Sequence, residues 1–379
     1  MIFNVKRKDL LAQTKKAMAA ATYAGVLQIL GGIRIEADER SGLLRLFSTN
    51  LEVSIRVNLP AAIEKSGEIV VDSRLFKNIL EKLSGEDVYI ESKSGYLRIT
   101  SETSFFEIPA LLGEYPAIEI PVPGATVSVT GLRSLTKQTA FAASADDTRA
   151  ALKCVNLILN QDGISATATN GFCVSLVEGD RDCVGKISLL IPASSLKLLA
   201  AISADSDVFD MGITGDGGKS VVFDDGMLLF SARLIVGDFP EITTLFDGFT
   251  PALEAHIDVT TLKNGLENIR VLSTQGKRVG IQFMEDGLQL SCRDEESSGS
   301  MFVKSYVKKS DPKSWPFMLS SLSSCLSVLS GDITLGISSQ GTLMLTNGKM
   351  KYMQIGLMEK ITSATERSSK RTQTQKSAA

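Results

Sequence analysis

One string of elements recurs three times along the chain, and a chain built that way folds as copies of a single unit. IVVDSRLFKNILEKLSGEDVYIE at 69–91, LLIPASSLKLLAAISADSDVFDMGI at 189–213 and WPFMLSSLSSCLSVLSGDITLGI at 315–337 each read as strand, helix, turn, strand. The first and third share Leu-Ser-Gly at 83–85 and 329–331. Ahead of each lies a second common stretch, at 32–57, 154–179 and 279–303, in which apolar and polar residues alternate around an acidic or glycine turn such as Glu285-Asp286-Gly287. That pattern predicts hairpins. The first two repeats also close alike, with Gly113-Glu114-Tyr115-Pro116 and Gly237-Asp238-Phe239-Pro240 set 124 positions apart. The unit is therefore about 120 residues long, and 379 residues hold three of them.

Each unit opens with an amphipathic helix. In the first, Leu10, Thr14, Ala17 and Ala21 share one face while Lys8 and Lys15 lie on the other. Counterparts stand at 132–143 and 260–273. Together with the helices inside the three passages above, the predicted spans are 7–22, 73–84, 131–144, 192–203, 259–273 and 316–329. The fold class expected is α+β, with two helices packed on antiparallel sheet in every repeat. The expected domains are 1–122, 123–248 and 249–360.

Charge is segregated by element. The six spans hold twelve basic residues, Arg7, Lys8, Lys15, Lys16, Arg74, Lys77, Lys82, Arg133, Lys137, Lys197, Lys263 and Arg270, against the acids Asp9, Glu81 and Glu267. They carry a surplus of nine positive charges in a chain whose net charge is −3, which leaves −12 for the remainder. Solvent-facing helices ordinarily intersperse Glu to form i, i+4 pairs, and these mostly do not. A basic set of helices in an otherwise acidic protein points to a polyanion on one surface, with the rest repelled from it. The spacing of a zinc finger, the length of a helix-turn-helix and base-stacking aromatic strands are all missing. The contact expected is with phosphates, indifferent to sequence and weakened by salt.

Other chemistries find little support. Cys154, Cys173, Cys183, Cys292 and Cys325 are scattered and odd in number, which suits neither a disulfide framework nor a zinc knuckle. His256 is the only histidine and is read as structural. TGDGGKSVVF at 214–223 resembles a phosphate loop, but the template's first glycine falls on Ile213 and a strand-like Val-Val-Phe follows, so a hairpin turn is expected. Asp146 and Asp147 stand together without further ligands at metal spacing, so no metal and no cofactor are expected. No apolar run approaches the ~20 residues of a membrane span, and MIFNVKRKDLL meets charge where a signal peptide would be apolar, so a cytoplasmic protein with no membrane partner is expected.

The strings MIFNVKRKDLL at 1–11, GVLQILGGIRIE at 25–36, STNLEVSI at 48–55, ATNGFCVSLV at 168–177 and GDFPEITTLF at 237–246, in that order, resemble the bacterial DNA polymerase III beta subunit family, the replication sliding clamps. The resemblance runs to about Lys360. It implies a non-catalytic head-to-tail homodimer whose domains close a ring, with helices lining a hole for double-stranded DNA. The residues then expected to face DNA are Lys8, Lys15, Lys16, Arg74, Lys77, Arg133, Lys137, Arg149, Lys197, Lys263 and Arg270. It also implies a groove for a short peptide from the polymerase III alpha subunit, the clamp loader and repair proteins. Leu152, Thr169, Gly171, Phe172, Val174, Pro240, Leu245, Met353, Ile355 and Leu357 match groove positions.

Departures from the family pattern are clear. Phe172 and Cys173 stand where a His-Arg pair is usual, and Gly356-Leu357-Met358-Glu359-Lys360 replaces the closing Met-Pro-Met-Arg-Leu. Ala24 replaces an arginine that approaches DNA, and Ala193 and Ser194 replace a basic pair. Such changes also fit a specialised paralogue or scaffold with other partners, and an enzyme with a site between repeats is the remaining alternative. The Ser/Thr-rich basic tail at 361–379 extends past the usual end and is expected to be disordered.

Overall fold

The computed structural model describes residues 1–357 except 25–26, 103, 117–119, 121–122, 147, 161–162, 179–186, 215–218, 272–277 and 294–296. The tail 361–379, Asp147 and Cys183 lie outside the described residues. The chain forms two compact units, Met1–Gly171 with Ser175–Glu241, and Phe172–Val174 with Ile242–Ala379.

The fold is α+β, built from antiparallel sheets and short helices. In the first unit, Ala62–Lys65, Ile2–Lys6, Asp87–Lys93, Tyr96–Ser101 and Ser104–Pro109 lie side by side in that order. The hairpins predicted at 32–57 form as Gly32–Asp38, Leu43–Thr49 and Val53–Pro60. Val53–Pro60 then pairs with Leu228–Arg233, Ile55 opposite Phe230, so hairpins of the first two repeats share one sheet. This shared ladder explains why two repeats make a single unit. The glycine-rich stretch has the hairpin context expected, since Phe209–Thr214 pairs with Ser220–Asp224 and Thr214 faces Ser220, while its turn at 215–218 lies outside the described residues. In the second unit, Ser298–Lys304, Gly287–Arg293, Arg278–Met284 and Asp311–Met318 form one sheet. Met350–Ile355, Thr342–Asn347, Asp332–Ile337, Leu253–Asp258 and Tyr306–Val307 run side by side in that order.

All six expected helices are present and shorter than expected: α1 (Arg7–Ala17), α2 (Ser73–Lys82), α3 (Leu132–Thr139) and α4 (Ala193–Ile202) in the first unit. A five-residue α5 (Thr243–Asp247), which periodicity did not announce, precedes α6 (Val259–Arg270) and α7 (Leu319–Leu326) in the second. After α1 the chain tightens into a 3-10 turn at Met18–Ala20 and leaves extended at Ala21. Helix α7 starts late because Pro316 is still in a strand, opposite Gly280. Capping fixes two starts: Asp72 accepts from the Leu75 N–H at 2.7 Å and Asp258 from the Thr261 N–H at 2.9 Å.

The buried faces follow helical spacing. Leu10, Thr14 and Ala17 of α1, Phe76, Ile79 and Leu80 of α2, and Leu262, Leu266 and Ile269 of α6 are all buried. Each large apolar side chain so covered contributes about 1.5–3 kcal/mol. The Gly-Glu-Tyr-Pro close of the first repeat has its own role. Tyr115 packs edge-on to Phe47 with ring centres 6.0 Å apart, in a cluster with Ile120, Val222 and Leu229. Burial pushes its phenol up to about 12, so it stays neutral and donates to the Gly32 carbonyl at 3.3 Å. Among the described residues no helix is long and apolar enough to cross a membrane, and no group of three or more His, Cys, Asp or Glu is placed to hold a metal.

Candidate nucleic-acid interface

The shortened helices still contain all twelve basic residues and the same three acids, so the surplus of nine survives the change of boundaries. What the charges do differs by position. On α1 and α2, Glu81 takes two lysines, Lys15 at 2.8 Å and Lys77 at 3.3 Å. Hydrogen bonds from both hold its carboxyl below the usual carboxylate range. One acid is neutralised twice over, and the pair of helices stays strongly positive. Lys8 is exposed and Lys16 half-buried on the same helix.

Arg74, at the start of α2, lies over the ring of Tyr23 at 3.7 Å from its centre. The Tyr23 hydroxyl accepts from the Arg74 N–H at 3.0 Å, and its ring occupies the space a side chain at Gly31 would need. Thus an aromatic from the loop after α1 holds an exposed guanidinium in one place. Sequence reasoning missed Tyr23, because nothing local couples it to a helix some fifty residues on.

Two arginines are used differently from the rest. Arg7 donates to the Gly85 carbonyl at 2.9 Å and the Leu80 carbonyl at 3.1 Å, and Arg133 donates to the Ser203 carbonyl at 2.9 Å. Both close the C-terminal end of the neighbouring helix, where unpaired carbonyls and the helix dipole favour a cation. Arg133 is half-buried in this role, whereas Lys137, Arg149 and Lys197 are exposed. In the second unit Arg270 is exposed and Lys263 half-buried on α6, with Glu267 between them, and α7 carries no charged residue at all.

The residues matched to a peptide groove divide into core and surface. In the first unit Leu152 and Thr169 are buried, Pro240 is exposed, and Gly171 has φ +87°, a left-handed value suited to glycine. The Thr169 hydroxyl accepts from the Gly171 N–H at 3.1 Å. The first repeat makes the same turn with Thr49-Asn50-Leu51, where the Thr49 hydroxyl accepts from the Leu51 N–H at 3.0 Å and Leu51 takes φ +75°. In the second unit Val174 and Met353 are buried, while Phe172, Leu245 and Ile355 are 61%, 51% and 56% exposed. The Ile355 N–H donates to the Phe172 carbonyl at 3.0 Å, which sets these two apolar side chains on neighbouring backbone. Helix α5 presents Leu245 and buries Phe246 beside it. Leu357 is half-buried, and its N–H donates to the Pro316 carbonyl at 2.8 Å.

Residues 1–119 match the DNA polymerase III beta subunit N-terminal domain, and residues 126–241 match its central domain. A beta sliding clamp of Staphylococcus epidermidis is 30% identical over 260 residues, covering 65% of this chain and 68% of that protein. The chain belongs to the DNA polymerase III beta subunit family. A beta sliding clamp of Micrococcus luteus is 26% identical over 295 residues, or 76% of this chain and 94% of that protein. In fold, the DNA polymerase sliding clamp of Bacillus subtilis superposes with a TM-score of 0.84 at 22% identity, over 94% of this chain and 99% of that one. The clamp fold therefore extends through the second unit as well.

Membership makes the chain a sliding clamp, a non-catalytic part of a DNA polymerase. Its departures from the family pattern now have physical descriptions. Ala193 is buried and Ser194 exposed at the start of α4, so no cation stands there. Phe172 puts an aromatic ring in solvent where polar groups are usual, and Cys173 is buried. Gly356 donates its N–H to the Gly341 carbonyl at 3.1 Å, and a Cβ at that position would collide with the same carbonyl.

Proposed function

We propose that two copies of this clamp close head to tail into a ring around duplex DNA, each contributing domains 1–122, 123–248 and 249–360, and hold the replicative polymerase to its template. The observation that carries this reading is the charge segregation, nine surplus positive charges on the six helices α1 to α4, α6 and α7 of a chain of net charge −3. Helices so charged meet phosphates without reading sequence, and a ring that encloses DNA needs no tight grip to stay on it. A polymerase tethered to such a ring keeps a high effective concentration at the primer end and rebinds before it diffuses away.

Two sheet edges fit the ring contact. Ser104–Pro109 ends one sheet of the first unit and exposes Phe105 (65%) and Phe106 (39%), and Ser298–Lys304 ends a sheet of the second unit and exposes Phe302 (47%). Unpaired edges bearing apolar side chains are aggregation-prone unless another strand covers them. A contact joining two different surfaces closes into a ring when its rotation closes, here after two copies. Phe172, Leu245 and Ile355 offer an apolar seat for a linear, partly hydrophobic peptide of the alpha subunit, the clamp loader or a repair protein. Partners of this kind work in the cytoplasm.

Sedimentation tests the assembly. The wild type is expected at twice 40.7 kDa, and Phe105→Asp with Phe302→Asp at that mass alone, with helical content unchanged. A wild type that stays at single mass at every concentration contradicts the ring.

A further inference from the structure

The cations of the helical set divide by how they are held. Arg7 and Arg133 close helix ends, and Lys15 and Lys77 share Glu81. Among the described residues the side chains of Lys8 and Lys16 make no hydrogen bond or ion pair, so nothing fixes their direction. Arg74 fits neither group. Its guanidinium makes no hydrogen bond or ion pair among the described residues, yet it lies on the ring of Tyr23, 3.7 Å from the centre.

Tyr23 is itself fixed from two sides. The Ser73 hydroxyl donates to the Gly31 carbonyl at 2.8 Å, so its oxygen accepts from the Tyr23 hydroxyl at 2.9 Å, which in turn accepts from the Arg74 N–H at 3.0 Å. Gly31 backs the ring, since a Cβ there would stand 2.8 Å from a ring carbon. With hydroxyl and ring both held, the tyrosine is a rigid platform that is still 40% exposed. Nearby backbone donors are taken: the Arg74 N–H goes to Tyr23, and the Leu75 N–H goes to the Asp72 carboxylate at 2.7 Å. What this corner offers an anion is therefore the guanidinium, whose N–H donors lie in its plane and stay open while its face rests on the ring.

We propose that Tyr23 is a positioning residue for DNA: it holds Arg74 in the orientation in which the guanidinium meets a phosphate of the duplex. The inference rests on the clamp reading above. It adds to that reading an uncharged residue, which the charge count of the helices does not contain. A long side chain that must be ordered on binding loses about 2- to 12-fold in affinity for that ordering, and one already stacked is spared the loss.

The test is a double-mutant cycle in the full-length protein, with Tyr23→Leu, Arg74→Gln and the two together. Binding to a short linear duplex is followed from about 50 to 200 mM salt. Arg74→Gln removes a phosphate contact and is expected to lower the salt slope by about 0.9. Tyr23→Leu keeps the charge and loses its fixed direction, so the slope is expected to hold while affinity falls about fivefold at every salt concentration. In the Arg74→Gln background, Tyr23→Leu is expected to change nothing. Arg74→Lys keeps the charge but has no planar face to stack; it is expected to match Tyr23→Leu, and it decides the matter if Tyr23→Leu melts early. Wild-type affinity in Arg74→Lys, or a Tyr23→Leu loss that persists without Arg74, overturns the proposal. Retention of the wild type on nicked circular duplex, which needs the ring and not this stack, is measured alongside. Failure there takes down the clamp reading, whereas a failed cycle with circles retained takes down the role of Tyr23 alone.

Discussion

Reversing Lys8, Lys16, Lys137 and Lys197 to glutamate is expected to reduce retention on nicked circular DNA at least tenfold while leaving the melting temperature within a few degrees of wild type. These four are exposed or half-buried on α1, α3 and α4, and among the described residues their side chains make no ion pair. The substitutions cut the helical surplus from nine positive charges to one. With about 0.9 of salt slope per phosphate contact, four contacts outweigh any single hydrogen bond in the interface. Lys15 and Arg74 are left in place deliberately. Lys15 shares Glu81 with Lys77, and Arg74 is stacked on Tyr23, so changing either confuses loss of charge with loss of local packing. Unchanged retention on the circular substrate would remove the assignment of these helices to DNA.

The second large effect concerns partners. Leu245→Asp is expected to abolish stimulation of the polymerase, by tenfold or more, while the two-copy mass stays the same. Leu245 is half in solvent on α5 and Phe246 beneath it holds the helix down, so a carboxylate at 245 is tolerated by the fold. In a peptide-bound state the same carboxylate is stripped of water against an apolar partner, which costs several kcal/mol unless it is paired. Phe172→Arg is a companion test, since it puts a charge where an exposed ring now stands. Full stimulation in both variants would place the docking site elsewhere.

Much of this architecture is legible in the residues because it rests on short-range pattern. The apolar spacing of Leu10, Thr14 and Ala17 and the alternation around Glu285-Asp286-Gly287 depend only on helix and strand periods, and both elements formed where expected. Helix ends were overrun for a local reason that periodicity does not contain: Pro316 keeps its strand partner and delays α7, and the chain turns into a 3-10 helix at Met18. Helix α5 is five residues long, too short for a periodic signal, although it presents Leu245. The uses of Arg7 and Arg133 were hidden because each depends on a helix end some seventy residues away. In the charge count these two look like Lys8 or Lys137, and only the fold separates a cap from a free cation. The sheet edges bearing Phe105 and Phe302 were likewise silent, since which strand ends a sheet is decided by pairing and not by composition.

The most direct measurement uses topology. Protein is loaded on a nicked plasmid, washed in high salt, and the plasmid is then cut once. An enclosing ring stays with the circle through the wash and slides off when the DNA is made linear. Protein that leaves the intact circle in high salt, or remains equally on the cut and uncut forms, is held by surface attraction alone and contradicts encirclement.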